Sequence, residues 1–196
     1  MSYTATITSA SLRLRESRIV AQLLLDGVDR SAWSKAIYDD KVLQLGSHGA
    51  TVRVARLLRA RLEPMGPDLW RMIREGDRVL ATQAALAGAI HNSRLLGDFM
   101  DLALREQRLL FATELEARVW TDYLDGCRGR DPNMPLWSDT TRAKLRSVVF
   151  SILAEAGYIS DTRQRLLQNV FVDAELAAHL EDAGHAYILR CLEVAE

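Results

Sequence analysis

Apolar residues recur every three or four positions along almost the whole chain, and this spacing constrains the fold more than any other feature of the sequence. Alternating apolar and polar runs, which are typical of half-buried strands, are nearly absent. Gly and Pro divide the periodic stretches into segments of ordinary helix length. With 196 residues, the chain is long enough to bury a sizeable core. The sequence therefore predicts an all-α fold, a compact multi-helix domain.

One helix is expected at the centre of this fold. Residues 80–90 read LATQAALAGAI and are small and apolar on nearly every helical face. Such a helix is typical of a buried position, because neighbouring helices can approach Ala and Gly closely. Asp77 is the expected N-cap of this helix, and Ser47 and Ser138 are the expected N-caps of two others. A first helix is predicted to start after Thr8 or Ser9 and to run to about Asp26.

One stretch predicts a domain boundary. Residues 125–135 read DGCRGRDPNMP and are dense in Gly, Pro and Asn. We therefore predict a helical domain over residues 1–127, a linker at about 125–136, and a C-terminal helical domain over 137–196. Within the second domain, Tyr158 and Ile159 are expected to pair with part of LLQNVFV, giving a short β-hairpin in residues 158–172.

Composition excludes several classes of protein. The only two cysteines, Cys127 and Cys191, are far apart and form no CxxC pair, which argues against a disulfide framework and a structural zinc site. No run approaches the roughly 18 consecutive apolar residues of a membrane span, and the first residues lack the apolar core of a signal peptide. We expect a cytoplasmic protein that does not enter the membrane.

Positive charge is concentrated at one end of a nearly neutral chain. The formal net charge is -1, but residues 1–62 carry ten Lys and Arg against five Asp and Glu. Residues 48–62, HGATVRVARLLRARL, contain no acidic residue. At about 100° per residue, Arg53, Arg56 and Arg59 lie opposite the apolar arc, whereas Arg61 lies beside it. We predict that the first three meet phosphate groups, and that Arg61 pairs with a carboxylate at the core edge.

Residues 138–165 form a second basic candidate. A predicted helix carries basic residues in its first turns, and the possible hairpin after it carries two more: Arg142, Lys144, Arg146, Arg163 and Arg165. A helix followed by a basic wing resembles winged helix-turn-helix modules. Solvated basic faces are common on helical proteins, so spacing alone leaves both basic candidates open.

Motifs for catalysis and cofactor binding are missing. The sequence has no GxSxG, GxxxxGK[ST], GxGxxG or HExxH motif. The pairs Glu175–His179 and Glu181–His185 have helical spacing but lack a further ligand motif, so surface residues are the simpler interpretation. We therefore predict no catalytic residue, no metal and no cofactor.

Several segments, taken in order, carry a resemblance to a known family. They are ESRIVAQLLLDG (16–27), Trp33, IYDDKVLQLGSHGATVRVARLLRARLEPM (37–65), GDFM (97–100) and WSDTTRAKLRSVVFSILAEAGYI (137–159). In this arrangement the chain resembles BrxA, a small component of BREX (bacteriophage exclusion) defence systems. The resemblance implies a helical fold similar to the RNA-antitermination factor NusB, no catalytic centre, and binding to double-stranded DNA. One departure is Lys41, where the family pattern leads us to expect asparagine.

The combined prediction is a non-enzymatic, double-stranded DNA-binding component of a BREX system that acts mainly through phosphate contacts. Two alternatives stay open. One is an assembly subunit that contacts other BREX proteins without touching nucleic acid, and the other is an RNA-binding protein.

Overall fold

The computed structural model describes residues 3–194 and is built almost entirely of helices. The α-helices are α1 (Leu14–Leu25), α2 (Arg30–Ser34), α3 (His48–Leu62), α4 (Gly66–Glu75), α5 (Arg78–Asn92), α6 (Arg94–Asp98), α7 (Arg105–Leu109), α8 (Ala117–Arg130), α9 (Asp139–Glu155), α10 (Ala174–Asp182) and α11 (Ala186–Leu192). Short 3-10 turns at Thr6–Ser9 and Glu63–Met65 and π-helical turns at Lys35–Asp39 and Phe99–Leu104 extend or join them. The prediction of an all-α fold is confirmed.

Helix α5 is the central helix, as its composition predicted. Every residue from Leu80 to Ile90 is buried. Helices α1, α3, α4, α6, α10 and α11 all contact it. A Cβ atom at Gly88 would lie 2.9 Å from the carbonyl oxygen of Arg61, so glycine is required for the close approach of α3.

The three predicted N-caps are confirmed. Ser47 Oγ accepts a hydrogen bond from the Ala50 N–H at 3.2 Å, and Asp77 Oδ1 accepts one from Leu80 at 2.9 Å. Ser138 Oγ accepts one from the Thr141 N–H at 3.3 Å. Each cap fixes where its helix begins, because it satisfies a backbone donor that the helix itself leaves unpaired.

The first helix begins later than predicted. Residues 6–9 form a 3-10 turn, Ala10 is extended, and α1 starts only at Leu14. The buried Arg61 contacts this segment and donates hydrogen bonds to the carbonyl oxygens of Ser11 at 2.7 Å and Ala10 at 3.0 Å. A side chain of α3 therefore holds these non-helical residues, and the left-handed conformation of Arg13 precedes the first turn of α1.

The predicted linker is shorter in the structure. Residues 125–130 continue α8, so the Gly residues of DGCRGR do not end the helix. Buried Leu124 and Cys127 hold this last turn against the core. Tertiary packing outweighs the low helix propensity of glycine here. The non-helical connection comprises residues 131–138.

Both predicted domains contribute to one continuous hydrophobic cluster. Phe99 lies on the first side of the predicted boundary and contacts Phe150 of α9, with ring centroids 6.4 Å apart. Glu155 of α9 also accepts a hydrogen bond from the Leu12 N–H at 3.0 Å. Whether residues 1–127 and 137–196 fold as separate domains stays a prediction.

Only a small part of the predicted hairpin forms. Ile159 and Leu167 make an isolated antiparallel bridge, as expected, and a second bridge joins Leu166 to Glu114 in the loop before α8. The pairing is therefore shared among three short segments of the chain. These segments place the turn at residues 161–165 beside the loop at residues 113–115.

Candidate nucleic-acid interface

The outer face of α3 carries the first group of predicted contact residues. Val54, Ala55 and Leu58 are buried on the inner face of this helix, as their spacing predicted. Arg53 and Arg56 are exposed on the opposite face. Within residues 3–194, neither guanidinium group forms a hydrogen bond or an ion pair. Both are therefore available to an anionic ligand.

These two arginines line a shallow groove. It has a volume of about 320 Å³ and lies between α3, the Thr6–Ser9 turn and the end of α5. Aliphatic side chains form much of its surface, and Thr6, Ser9 and Asn92 add hydroxyl and amide groups at its edge; the aliphatic members are Val52, Leu57 and Ala60. A groove of this kind can contact sugar carbons while the guanidinium groups reach phosphate oxygens.

Arg59 follows the same face but is not free. Its guanidinium group binds the carboxylate of Glu63 one turn later, with an Nη2–Oε1 distance of 2.7 Å. It also lies over the ring of Trp33, 4.7 Å from the centroid. The hydrogen bond to Glu63 raises the pKa of Arg59 and lowers the pKa of Glu63. Arg59 is therefore already paired within the protein, and its predicted contact with phosphate stays a prediction.

Arg61 has a structural role that was predicted with the wrong partner. It is 2% exposed and donates to backbone carbonyls of the N-terminal segment rather than to a carboxylate. Burial lowers the pKa of Arg61 to about 10, and the nearby charge of Glu155 acts in the opposite direction. The guanidinium group stays charged at neutral pH and cannot reach a ligand.

The basic residues of α9 do not form one face. Arg142 binds Asp125 of α8 with an Nη2–Oδ1 distance of 2.6 Å. Lys144 and Arg146 have no hydrogen-bond or ion-pair partner in the described part of the chain. Two positions along a helix rotate a side chain by about 200°, so these two residues lie on opposite flanks of α9.

The turn after α9 contributes one exposed arginine. Arg163 is exposed, and its side chain forms no hydrogen bond or close ion pair within residues 3–194, although its charge interacts with that of Asp161. Arg165 has a positive φ of 57°, and its Nε–H donates to the carbonyl oxygen of Leu115 at 3.0 Å. Arg165 therefore holds the turn against the neighbouring loop, whereas the side chain of Arg163 forms no hydrogen bond.

The sequence prediction missed a second groove, which both arginines and carboxylates line. It has a volume of about 510 Å³ and lies between residues 10–16, the start of α5 and the end of α9. The side chain of Arg78 lines it and forms no hydrogen bond or ion pair within residues 3–194, whereas Arg13 and Arg15, which also line it, contact Glu16 and Gln44. The sequence did contain a signal for this groove. Arg78 is in the first turn of a helix, where a positive charge is unfavourable because it lies near the positive end of the helix dipole.

Metal-binding groups, membrane-spanning helices, and reactive cysteine or histidine residues are the other kinds of feature to consider among the described residues. Residues 3–194 contain no group of three or more potential metal-ligating side chains, and no helix in that range is long and apolar enough to cross a membrane. Cys127 and Cys191 are buried, and burial raises the pKa of both thiols. His91 and His185 have ring centroids 5.8 Å apart, and burial lowers the pKa of His185.

Comparison with known proteins tests the resemblance found in the sequence. A family model described as BrxA matches residues 1–184. The chain belongs to the BrxA family. A BREX protein BrxA of Paramagnetospirillum magneticum (strain ATCC 700264 / AMB-1) is 45% identical over 193 residues, which cover 98% of this chain and 97% of the relative. A BREX protein BrxA of Escherichia coli O9:H4 (strain HS) is 30% identical and covers 93% of this chain and 85% of the relative.

A solved structure shares the fold of this BrxA family member. It is described as the crystal structure of an uncharacterized protein from Magnetospirillum magneticum, with a TM-score of 0.92 and 44% identity over 98% of each chain. The predicted likeness to NusB stays a prediction. The departure at Lys41 has a local explanation: this residue has a φ of +52°, and asparagine adopts that conformation more readily than lysine.

Proposed function

We infer that this BrxA family member is a non-enzymatic component of a BREX phage-defence system that binds double-stranded DNA in the cytoplasm. Binding is mainly to the phosphate backbone. The observation that carries this proposal is the pair of unpaired guanidinium groups, Arg53 and Arg56, above the aliphatic groove of α3.

The spacing of this pair suits a polyanion. Arg53 and Arg56 are three residues apart on one face, so both can contact the same stretch of backbone. Arginine matches phosphate oxygens with two parallel N–H donors, and each neutralised phosphate releases counterions. Such binding is sensitive to salt and carries little sequence information.

Basic residues elsewhere extend the surface in the proposal. Lys144, Arg146 and Arg163 form no hydrogen bond or close ion pair in the described residues and belong to the second candidate region. Arg59, Arg142 and Arg165 already have protein partners, so we assign them weaker contributions. The α3 groove is accordingly the primary contact, and the α9 region is secondary.

The test measures the affinity for a duplex of random sequence over a salt series. Replacing Arg53 and Arg56 together with Gln is expected to weaken binding about tenfold or more at low salt, and to lower the slope of log K against log salt by about 2. The fold should be unchanged, because neither side chain has a protein partner to lose.

A matched control distinguishes the contribution of the groove to DNA affinity from that of the net charge. Arg74→Gln with Arg128→Gln removes the same charge from exposed positions away from α3. Equal weakening by both double variants would contradict a specific role for the groove. Retention of binding in the α3 variant would move the contact to residues 142–165. No retention of DNA by the unaltered chain at low salt would favour the assembly alternative, and preference for an RNA duplex would favour the RNA-binding alternative.

A further inference from the structure

Four helices in the described part of this chain end in the same C-terminal motif, and one of the four has an unusual residue in it. Within residues 3–194, α1, α9 and α10 each end in a Schellman motif with glycine at the left-handed position: Gly27, Gly157 and Gly184. Helix α7 ends in the same motif, with Phe111 N–H bonded to Arg108 and Ala112 N–H bonded to Gln107, both at 3.0 Å. Its left-handed residue is Phe111, with a φ of 54°.

Phenylalanine is a costly choice at this position. A side chain with a Cβ atom is strained in the left-handed region, and glycine is the residue that avoids the strain. The phenyl ring gains no stabilising packing inside the fold that would offset this strain, because Phe111 is 91% exposed. An aromatic side chain that is strained and exposed at once is a reasonable starting point for a search for a contact surface.

The neighbouring surface is also apolar. Leu109 and Leu110 are 69% and 67% exposed. Leu102 lies two helical turns before Leu109 on the same continuous helix and is 43% exposed. Leu102 lines a groove of about 260 Å³ between this helix and α8, where Val119 forms part of the opposite wall. Exposed apolar residues are unremarkable when scattered, but a contiguous set beside a groove marks an interaction surface.

The charges around this surface select the kind of partner. Glu106 and Asp122 line the groove, and Glu114 follows Phe111 by three residues; none of these carboxylates forms an ion pair in the described chain. Arg130 lies at one end of the groove but is hydrogen-bonded to Tyr3 and Cys127. Arg108 lies on the other side of the helix, beside Tyr158 and Leu167.

We propose that this α7–α8 surface, formed by Leu102, Leu109, Leu110, Phe111, Glu106 and Asp122, docks an amphipathic helix with basic residues along its edge, supplied by another protein. Apolar side chains of the partner helix enter the groove, and Phe111, which follows the C-terminal end of α7, is the aromatic anchor of the surface. The partner's basic residues meet the unpaired carboxylates at the rim. This surface does not include the arginines of α3.

The test uses a synthetic helical peptide with leucines at i, i+3, i+4 and i+7 flanked by lysines, and a second peptide in which every lysine is glutamate. Binding is measured by fluorescence anisotropy with the full chain. The lysine peptide is expected to bind and the glutamate peptide is not. Phe111→Gly is expected to weaken lysine-peptide binding at least about tenfold. Phe171→Ala, which removes another exposed phenyl ring, is expected to leave binding unchanged.

The melting temperature gives a second readout that a merely structural role would not produce. Phe111→Gly relieves the strained position, so the melting temperature should stay the same or rise by up to about 4 °C while peptide binding is lost. A fall in melting temperature would assign Phe111 to the fold and overturn the proposal.

Three further results would overturn it. Equal peptide binding by Phe111→Gly and the unaltered chain would show that the α7–α8 surface is not the binding site of the peptide. Sedimentation showing a dimer that dissociates in Phe111→Gly would make a second copy of the chain the occupant. A loss of duplex DNA affinity in Phe111→Gly would assign the surface to nucleic acid; unchanged DNA affinity is expected, so the two proposals fail separately.

Discussion

The outer and inner faces of α3 carry the same residue type with opposite consequences. Arg53 and Arg56 on the outer face are exposed and have no partner within the described residues, whereas Arg61 on the inner face is buried beneath the N-terminal segment. Arg59 lies between these cases, because Glu63 follows it by one helical turn. A basic segment is therefore not a uniform surface: distance from the core and the nearest carboxylate decide what each guanidinium group does.

The strongest test of this comparison removes the inner arginine. Arg61→Met is expected to lower the free energy of unfolding by about 3 kcal/mol, because the carbonyl groups of Ala10 and Ser11 lose their donors inside the protein. Arg53→Met on the same helix should change it by less than about 0.5 kcal/mol. Denaturant unfolding of the two variants makes the measurement, and equal effects would show that the two faces do not differ.

An alkaline titration extends the comparison to Tyr3, which provides a further attachment of the N-terminal segment. Tyr3 donates a hydrogen bond to Asp98 at 2.6 Å, and burial followed by this bond raises the pKa of Tyr3 from 10.0 to about 12. The folded chain holds this proton more tightly than the unfolded chain. Its contribution is therefore complete below pH 10 and is lost as the pH rises toward 12, by about 2 kcal/mol.

The control for this titration is Tyr3→Phe, which has no phenolic proton. Its free energy of unfolding should start lower and should fall less steeply between pH 10 and 12. An identical slope in this variant would show that other groups, including the buried Tyr158, account for the alkaline loss.

The smallest predicted effect concerns the intermediate case. Glu63→Gln releases Arg59 from its ion pair, so the DNA affinity should rise by about two- to threefold, while the free energy of unfolding falls by no more than about 0.5 kcal/mol. Glu75→Gln, which removes one exposed negative charge from α4, is the control for net charge. A rise no larger than that of the control would mean that Arg59 does not face the DNA.

Local sequence signals predicted the helices and several of their ends correctly. Ser47, Asp77 and Ser138 each satisfy a backbone donor within three residues, so their role depends only on nearby sequence. The apolar composition of residues 80–90 likewise predicted their burial. Family membership was predicted from the order of motifs along the chain and is confirmed.

Long-range contacts explain the misses. The non-helical segment before α1 is held by Arg61, which is 50 residues away from Ser11 in the sequence. Arg142 meets Asp125 from a different helix, and Arg165 is held by the carbonyl of Leu115. The pair Arg59–Glu63, by contrast, follows from helical spacing and was predictable.

The sequence by itself determined the helical class, the central helix, the caps and the placement of arginines on two sides of α3, because these depend on residue types within one or two turns. Only the tertiary structure decided which arginines are free, where the N-terminal segment is held, and that Phe111 is left exposed in a strained conformation. These outcomes depend on which distant donors, acceptors and apolar surfaces folding brings together, and no local pattern encodes that.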